Sequence, residues 1–412
     1  MKPKPFSIQR TYLILLLFNT LAASFIWGVN TLFLLDAGLS NLEAFAANAF
    51  FTVGQVIFEV PTGVVADMWG RRVSYMLGAL TLGVSTLLYL WAWQIHAPFW
   101  YWAVTSILLG LGFTFFSGAT EAWLVDALHY TGYKGNLEGV FAKGQIVGGI
   151  AMLTGSVAGG FIAQMSNLGV PYIFRAAFLG ITFVLAFIFM KDLGFTPRKG
   201  GSAVKHMKEI LVTSVNQGFK VPSIRWVMIA GPFGAGVGFY VFYAMQPFLL
   251  QLYGNKEAYG IAGLAAAIVA GAQIVGGILA VHIGKLFSKR TTVLLTGIIL
   301  NTAVLVLLGV ITNFWIAIAV LVIWGLLFAA VGPVRSAYLN GLIPSKERAT
   351  VLSFDSLVSS SGGVVIQPAL GRAADIWSYS FSFVIGAAFT VMALPFILLA
   401  RKQNPSSDPI KK

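Results

Sequence analysis

The sequence predicts an all-α membrane protein, with twelve transmembrane helices in two pseudo-symmetric six-helix bundles. Three observations carry this. First, the 412 residues are 58% hydrophobic and only 10% charged, with a mean hydropathy of +0.83, whereas soluble globular chains carry roughly 25% charged residues. Second, apolar runs of bilayer length, about 20 residues each, recur a dozen times along the chain. Third, the 27 Lys and Arg residues cluster in alternate connections between those runs. A water-soluble enzyme, a disordered chain and a collagen-like repeat are all excluded. With no Cys, neither disulfides nor cysteine metal sites are available.

The runs fall near 11–35, 43–68, 74–94, 98–127, 137–166 and 171–191, then 222–252, 257–285, 291–311, 314–342, 347–375 and 379–400. They must be helices, because an open sheet in lipid leaves its edge unbonded, and the alternation of a barrel is absent. Basic clusters stand at Lys2 to Arg10, Arg71-Arg72, Lys134 to Lys143, Lys191 to Arg225, Lys285 to Arg290, Lys346 to Arg348 and Arg401 to Lys412. The connections at 36–43, 94–98, 166–172 and 312–314 contain none. This asymmetry places both termini and the middle loop in the cytoplasm. It also accounts for the net charge of +13 without a nucleic-acid partner. The first run is too long for a signal-peptide core, and the compact loops fit a bacterial plasma membrane.

An internal repeat organises the chain. A shift of 215 lays Gly110 on Gly325, Ala122 on Ala337 and Leu124 on Leu339, and a slightly larger shift lays Arg71-Arg72 on Lys289-Arg290. Residues 1–191 and 222–412 are therefore expected to form two bundles joined by a cytoplasmic linker, 192–221. Parallel repeats of this kind bind substrate between the halves near the bilayer midplane.

Span two ends in Gly63-Val64-Val65-Ala66-Asp67-Met68-Trp69-Gly70-Arg71-Arg72. Its glycines allow a tight turn, and an acid beside a basic pair can exchange partners when helices slide. With twelve spans and the repeat, this pattern resembles the major facilitator superfamily, nearest to its drug/proton antiporter-like bacterial members. The resemblance implies alternating access by rocking of the two halves. It also implies that Asp67 meets the amino-terminal end of span eleven, and that Arg71 pairs with an acid at the cytoplasmic end of span four, where Asp126 stands. Two positions depart from the drug exporters. Ser106 stands where they carry an arginine in span four, and Gly155 is followed by Ser156 rather than proline, although Gly159-Gly160 match the end of their span-five motif.

Ionisable residues inside spans are costly and mark function. Glu59 lies eight residues before Asp67, roughly 12 Å deeper along the helix, beside the helix-loosening Pro61 and Gly63. A desolvated carboxyl there can exchange a proton near neutral pH, so Glu59 is the first candidate for proton coupling. Glu121 is the second. The repeat sets Arg335 opposite Thr120, at the depth of Glu121, so the two could pair across a cavity, or each could be neutralised within its own half. Arg175 at the start of span six is explained by snorkelling, and Asp355 and Asp36 are weaker cases. The four His residues have no metal-ligand spacing, so no metal or cofactor is expected.

Cavity walls would come, by resemblance, from spans one, four, seven and ten. Asn19, Trp27 and Asn30 are candidates in span one, and Tyr240, Tyr243 and Gln246 in span seven, with Glu121 and Arg335. Aromatics with sparse polar groups suit an amphipathic organic molecule. A monomeric secondary transporter, coupled to protons and exporting such compounds, is the function expected. Its alternatives are a facilitator or importer of a small metabolite, and a non-transporting receptor. No nucleophile elbow, zinc motif or phosphate loop points to an enzyme or an ATP-driven pump.

Overall fold

The structure, a computed structural model, describes residues 4–197, 212, 215–345 and 347–410. Among these the chain is helical, with no strand. Most of the expected 192–221 linker lies outside the described residues. A π-helical turn, Val215–Phe219, stands at its end.

Nine spans are single helices: α3 (Asn41–Trp69), α4 (Arg71–Gln94), α7 (Leu137–Met165), α8 (Val170–Phe189), α9 (Pro222–Tyr253), α10 (Tyr259–Lys285), α11 (Arg290–Val310), α12 (Phe314–Asn340) and α13 (Arg348–Ile376). The other three are broken, contrary to the continuous runs expected. Span one is α1 (Pro5–Trp27) and α2 (Asn30–Asp36); span four is α5 (Phe99–Thr114) and α6 (Ala119–Tyr130); span twelve is α14 (Tyr379–Val391) and α15 (Leu394–Lys402). Hydropathy cannot register such breaks, because the residues across them stay apolar. The break in span four ends on Gly118, whose φ of 66° is left-handed, a conformation that costs glycine little. Ser74 donates to the Phe115 carbonyl there at 2.8 Å.

Eleven spans among the described residues are long and apolar enough to cross a membrane. The remaining one, α13, has the length, at 29 residues. It carries Asp355, Arg372, Asp375 and a serine-rich stretch from Ser353 to Ser361, which lower its hydropathy.

The helices form two compact units. Unit 1 comprises Met1–Gly38, Phe50–Ala203 and Glu257–Ala267; unit 2 comprises Leu39–Ala49, Val204–Lys256 and Ile268–Lys412. The first residues of α3 thus belong to unit 2 and the first residues of α10 to unit 1, an exchange absent from the boundaries expected at 191 and 222.

In unit 1, α1 packs on α7 and α8, and α4 packs on α5 and α8. Without a hydrophobic force between helices in lipid, contact depends on close approach through small residues. Gly155 and Gly159 lie against Ser24 and the Phe25 backbone, leaving no room for a Cβ, and the Ser24 hydroxyl donates to the Ala151 carbonyl at 3.1 Å. Ser156 and Gly160, the alternate positions of the same stretch, meet Gly263 of α10. In unit 2, α9 packs on α13, with Gly236 and Gly362 at the crossing and the Pro232 backbone against Gly362.

At Gly263 a Cβ would stand 2.5 Å from the Ser156 carbonyl oxygen and 2.9 Å from the Gly160 Cα, both backbone, whereas at Gly277 on the same helix it would meet nothing within 4 Å. Gly263→Val is expected to cost at least about 1–3 kcal/mol through overpacking. Thermal unfolding of detergent-purified protein should show a clear drop in Tm for Gly263→Val and a far smaller one for Gly277→Val.

Candidate functional site

The Gly63–Arg72 motif closes α3 and opens α4. Between them Gly70 adopts φ 102°, and a side chain there would collide with the Asp192 carboxylate. Asp192 accepts from the Arg72 backbone N–H at 2.9 Å, so a carboxylate caps the positive end of α4. The Arg72 guanidinium donates to the Phe187 carbonyl at 2.5 Å and lies over the Phe187 ring at 5.2 Å. Arg71 pairs with Asp67 one turn back, at 2.8 Å, and lies 5.9 Å from the Phe195 ring centroid. The expected Arg71–Asp126 pair is therefore not the one formed. An i,i+4 partner is closer at hand, and Asp126 meets the tail of span six through its backbone carbonyl, which a Cβ on Gly194 would approach to 2.9 Å. Gly63 is exposed with nothing around it.

Unit 2 repeats the arrangement. Asp408, which follows span twelve as Asp192 follows span six, accepts from the Thr291 N–H at 2.8 Å and the Thr291 hydroxyl at 2.9 Å. It caps α11, the counterpart of α4. The two acids are 216 residues apart, which is within the repeat itself. That spacing was the signal available in the sequence, and it was missed because both lie outside the spans.

Glu59 is half-buried on α3, and its carboxylate accepts from the Ser117 hydroxyl at 2.7 Å. The break in span four supplies this donor. Thr62 turns back to the Phe58 and Glu59 carbonyls at 2.8 and 3.2 Å, next to Pro61, which cannot donate. Glu121, in the first turn of α6, is exposed. Arg335 is neutralised in its own unit, the second of the two arrangements anticipated. Its guanidinium grips Asp355 in bidentate fashion at 2.5 and 2.6 Å and reaches the Val227 carbonyl at 3.3 Å. Asp355 is 5% exposed, an acid within span eleven held by a basic partner.

Unit 2 contains a cavity of about 280 Å³ bounded by α9, α11, α12 and spans eleven and twelve. Gly231, Gly234 and Gly238 of α9 make the room, and Trp324, Phe328 and Leu294 give it an apolar wall. Arg335, Ser359 and Asn301 are its main polar features. The Asn301 Oδ1 is buried and accepts no hydrogen bond among the described residues. Of the eight cavity candidates, only Arg335 lines this space. Tyr240 is fully buried, with its hydroxyl on Ser382 at 2.5 Å and its ring 4.6 Å from that of Phe45. Asn30 accepts from the Tyr172 hydroxyl at 3.0 Å, beside the stacked rings of Phe33 and Tyr172. Gln246 is buried, Tyr243 has its ring 5.4 Å from Phe242, and Asn19 and Trp27 are half-buried on α1. Arg175 does not snorkel. It is 8% exposed and donates to the Thr86 hydroxyl at 3.1 Å. Ser106 is fully buried and hydrogen-bonded to the Tyr89 hydroxyl. No cluster of His and acidic residues suited to a metal occurs among the described residues.

The sequence profile of the Major Facilitator Superfamily matches residues 12–288 and 255–412. The chain belongs to this superfamily. An uncharacterized MFS-type transporter of Methanocaldococcus jannaschii is 21% identical over 384 residues, covering 90% of this chain and 92% of its own. One from Bacillus subtilis is 22% identical over 395 residues, 89% of each. Among solved structures, the nucleoside transporter NupG superposes with a TM-score of 0.79 at 11% identity, over 96% of this chain and 99% of that one. A D-xylose–proton symporter gives 0.68 at 18% identity, over 96% and 97%. At such identities these superpositions speak for the fold alone. As a superfamily member the chain is a multi-pass membrane transporter.

Truncating either capping acid should destabilise its unit. Asp408 is 2% exposed while Asp192 is half-buried, so the charge-assisted bonds of Asp408 are shielded more from water. Asp408→Ala is expected to cost about 2 kcal/mol and Asp192→Ala about 1 kcal/mol, and parallel melting curves would rank the two.

Proposed function

We propose that this transporter works by alternating access and exports amphipathic organic compounds in exchange for protons. The cavity of unit 2 carries this reading. Its wall of Trp324, Phe328, Leu294 and backbone glycines accepts an apolar body, while the Asn301 side-chain oxygen, Ser359 and Arg335 offer a few polar contacts. A sugar would need a denser set of hydrogen-bonding groups. The exchangeable proton is assigned to Glu59, whose carboxylate has Ser117 as its hydroxyl donor; Glu121 is the second acid of the cycle, exposed on α6. Asn19, Trp27, Asn30, Tyr243 and Gln246 remain proposed substrate contacts, and the monomer is the working unit. The basic clusters support a reading with both termini on the cytoplasmic side of a bacterial plasma membrane.

A second reading is uptake of a small metabolite. A nucleoside transporter and a D-xylose–proton symporter, which carry small metabolites, share this chain's fold.

Reconstituted into liposomes, the protein should move a hit from a thermal-shift compound screen, and a protonophore should collapse accumulation. Glu59→Gln should lower pH-driven flux by at least about tenfold, the scale of losing a proton-transfer group, while leaving ligand-induced thermal shift in place. Flux indifferent to an imposed pH gradient would favour a facilitator, and tight binding with no flux a receptor. Separately, Asp355→Ala should lower stability by roughly 3 kcal/mol, the low end for a broken buried pair because the Arg335 side chain is 24% exposed. The exchange of charges in Arg335→Asp with Asp355→Arg should restore much of that loss in the same melting assay.

A further inference from the structure

The end of α3 remote from the Arg71–Arg72 loop has every early N–H accounted for. Ser40 and Glu43 form a reciprocal box: the Glu43 carboxylate accepts from the Ser40 N–H and hydroxyl, both at 2.9 Å, and the Ser40 hydroxyl accepts from the Glu43 N–H at 3.3 Å. The two N–H groups left between them point at one carboxylate from another helix. Asn41 donates to the Asp375 Oδ1 at 2.9 Å, and Leu42 donates to its Oδ2 at 2.8 Å. Tyr379 adds a hydroxyl bond to the Asn41 side chain. Gly371, one turn before Asp375, lets α13 approach closely: a Cβ there would stand 2.8 Å from the Asn41 carbonyl oxygen and from the Phe45 ring.

The same construction recurs in unit 1 with one change of chemistry. Gly260, 218 residues after Leu42, donates its N–H to the Gln164 side-chain oxygen at 2.9 Å. Gly160 again stands one turn before the acceptor, 2.7 Å from the Tyr259 carbonyl oxygen by the same measure. Tyr259 and Gly263 follow Asn41 and Phe45 by 218 residues, and Gly371 and Asp375 follow Gly160 and Gln164 by 211. The two crossings are thus repeats of each other, one closed by a carboxylate and the other by an amide.

We propose that Asp375 is a further proton-binding residue of the transport cycle, one that latches the first turn of α3 to α13 when ionised and releases it when protonated, with Gln164 as the proton-insensitive counterpart on α10. The assignment rests on the alternating-access reading above. A carboxylate takes two N–H donors at a helix amino terminus, where the helix dipole also favours negative charge. A protonated carboxyl loses that charge and one acceptor site. By linkage, whatever binds the carboxylate form is strongest above its titration and weakens as pH falls, so opening takes up a proton and closing releases one. Asp375 is exposed and so open to protons from water. The titratable groups around it are Glu43 on α3, already bound to Ser40, Tyr379 on α14, Tyr240 on α9, and Arg372 on its own helix. No carboxylate other than that of Asp375 accepts from Asn41 or Leu42 among the described residues.

The absence of Cys makes the test direct. Spin labels at Ala46→Cys and Ile376→Cys, in protein reconstituted in lipid nanodiscs, report the α3–α13 distance by electron–electron double resonance. From about pH 8 to about pH 2.5, a range that extends below the ordinary aspartate value of about 3.9, the ratio of close to separated pairs should fall roughly tenfold, the scale of one charge-assisted bond. Asp375→Asn should abolish that pH dependence. Labels at Phe161→Cys and Leu264→Cys should show no pH dependence across α7–α10 until Gln164→Glu introduces it. A wild-type ratio unchanged by pH, or a pH response retained in Asp375→Asn, overturns the proposal, and so does a Gln164→Glu protein that folds but stays insensitive. A titrating latch with flux indifferent to pH would instead sink proton coupling and leave the latch standing. A constant distance with pH-driven flux would do the reverse.

Discussion

Hydrocarbon offers no water to complete a broken hydrogen bond, and each backbone N–H or C=O must find a partner within the protein. That constraint governs what the chain can be. It makes every span helical, and it restricts interruptions to places where another group is on hand. In span four the break leaves the Phe115 carbonyl to Ser74 and turns the Ser117 hydroxyl onto Glu59. In span one the helix parts at Gly28 and Val29, where Gly28 lies against the Gly263 backbone. Both of these breaks coincide with a contact to another helix.

Charges obey the same economy. Within the described spans Arg335 is gripped by Asp355, and Arg175 is spread over Thr86 and the Ala22 carbonyl. Outside the apolar stretches, acids are spent on helix amino termini. Asp192 caps α4, Asp408 caps α11 and Asp375 caps α3. With only 14 acidic residues against 27 basic ones, three at such caps is a substantial share. It shows that acid placement serves helix ends as much as pairing with basic side chains. The loop motif fits this pattern, since Gly70 must be glycine to let the Asp192 carboxylate reach the Arg72 N–H.

Relatedness of the halves is clearest at their helix ends. Asp192 and Asp408, Gln164 and Asp375, Leu42 and Gly260 occupy matching places. A lipid-facing Leu can become Ile or Phe at little cost. A side chain that satisfies an orphan N–H has few substitutes, so amide and carboxylate alternate there and little else does.

The sequence by itself determined the twelve spans, their helical state and the repeat, because hydropathy and spacing are sums over many residues and tolerate local error. It also singled out Glu59, Glu121, Asp67 and Arg335 as ionisable side chains within or at the ends of apolar runs. Tertiary structure decided the partners. Arg71 takes Asp67 rather than Asp126, Arg335 takes Asp355, and Tyr240 packs on Phe45 and Ser382 instead of lining the cavity. It also decided the three helix breaks and the exchange of Leu39–Ala49 and Glu257–Ala267 between the units. The physical reason is one of range. A span is specified by some twenty consecutive residues, but a partner is specified by where a distant helix places one atom to within a few tenths of an ångström.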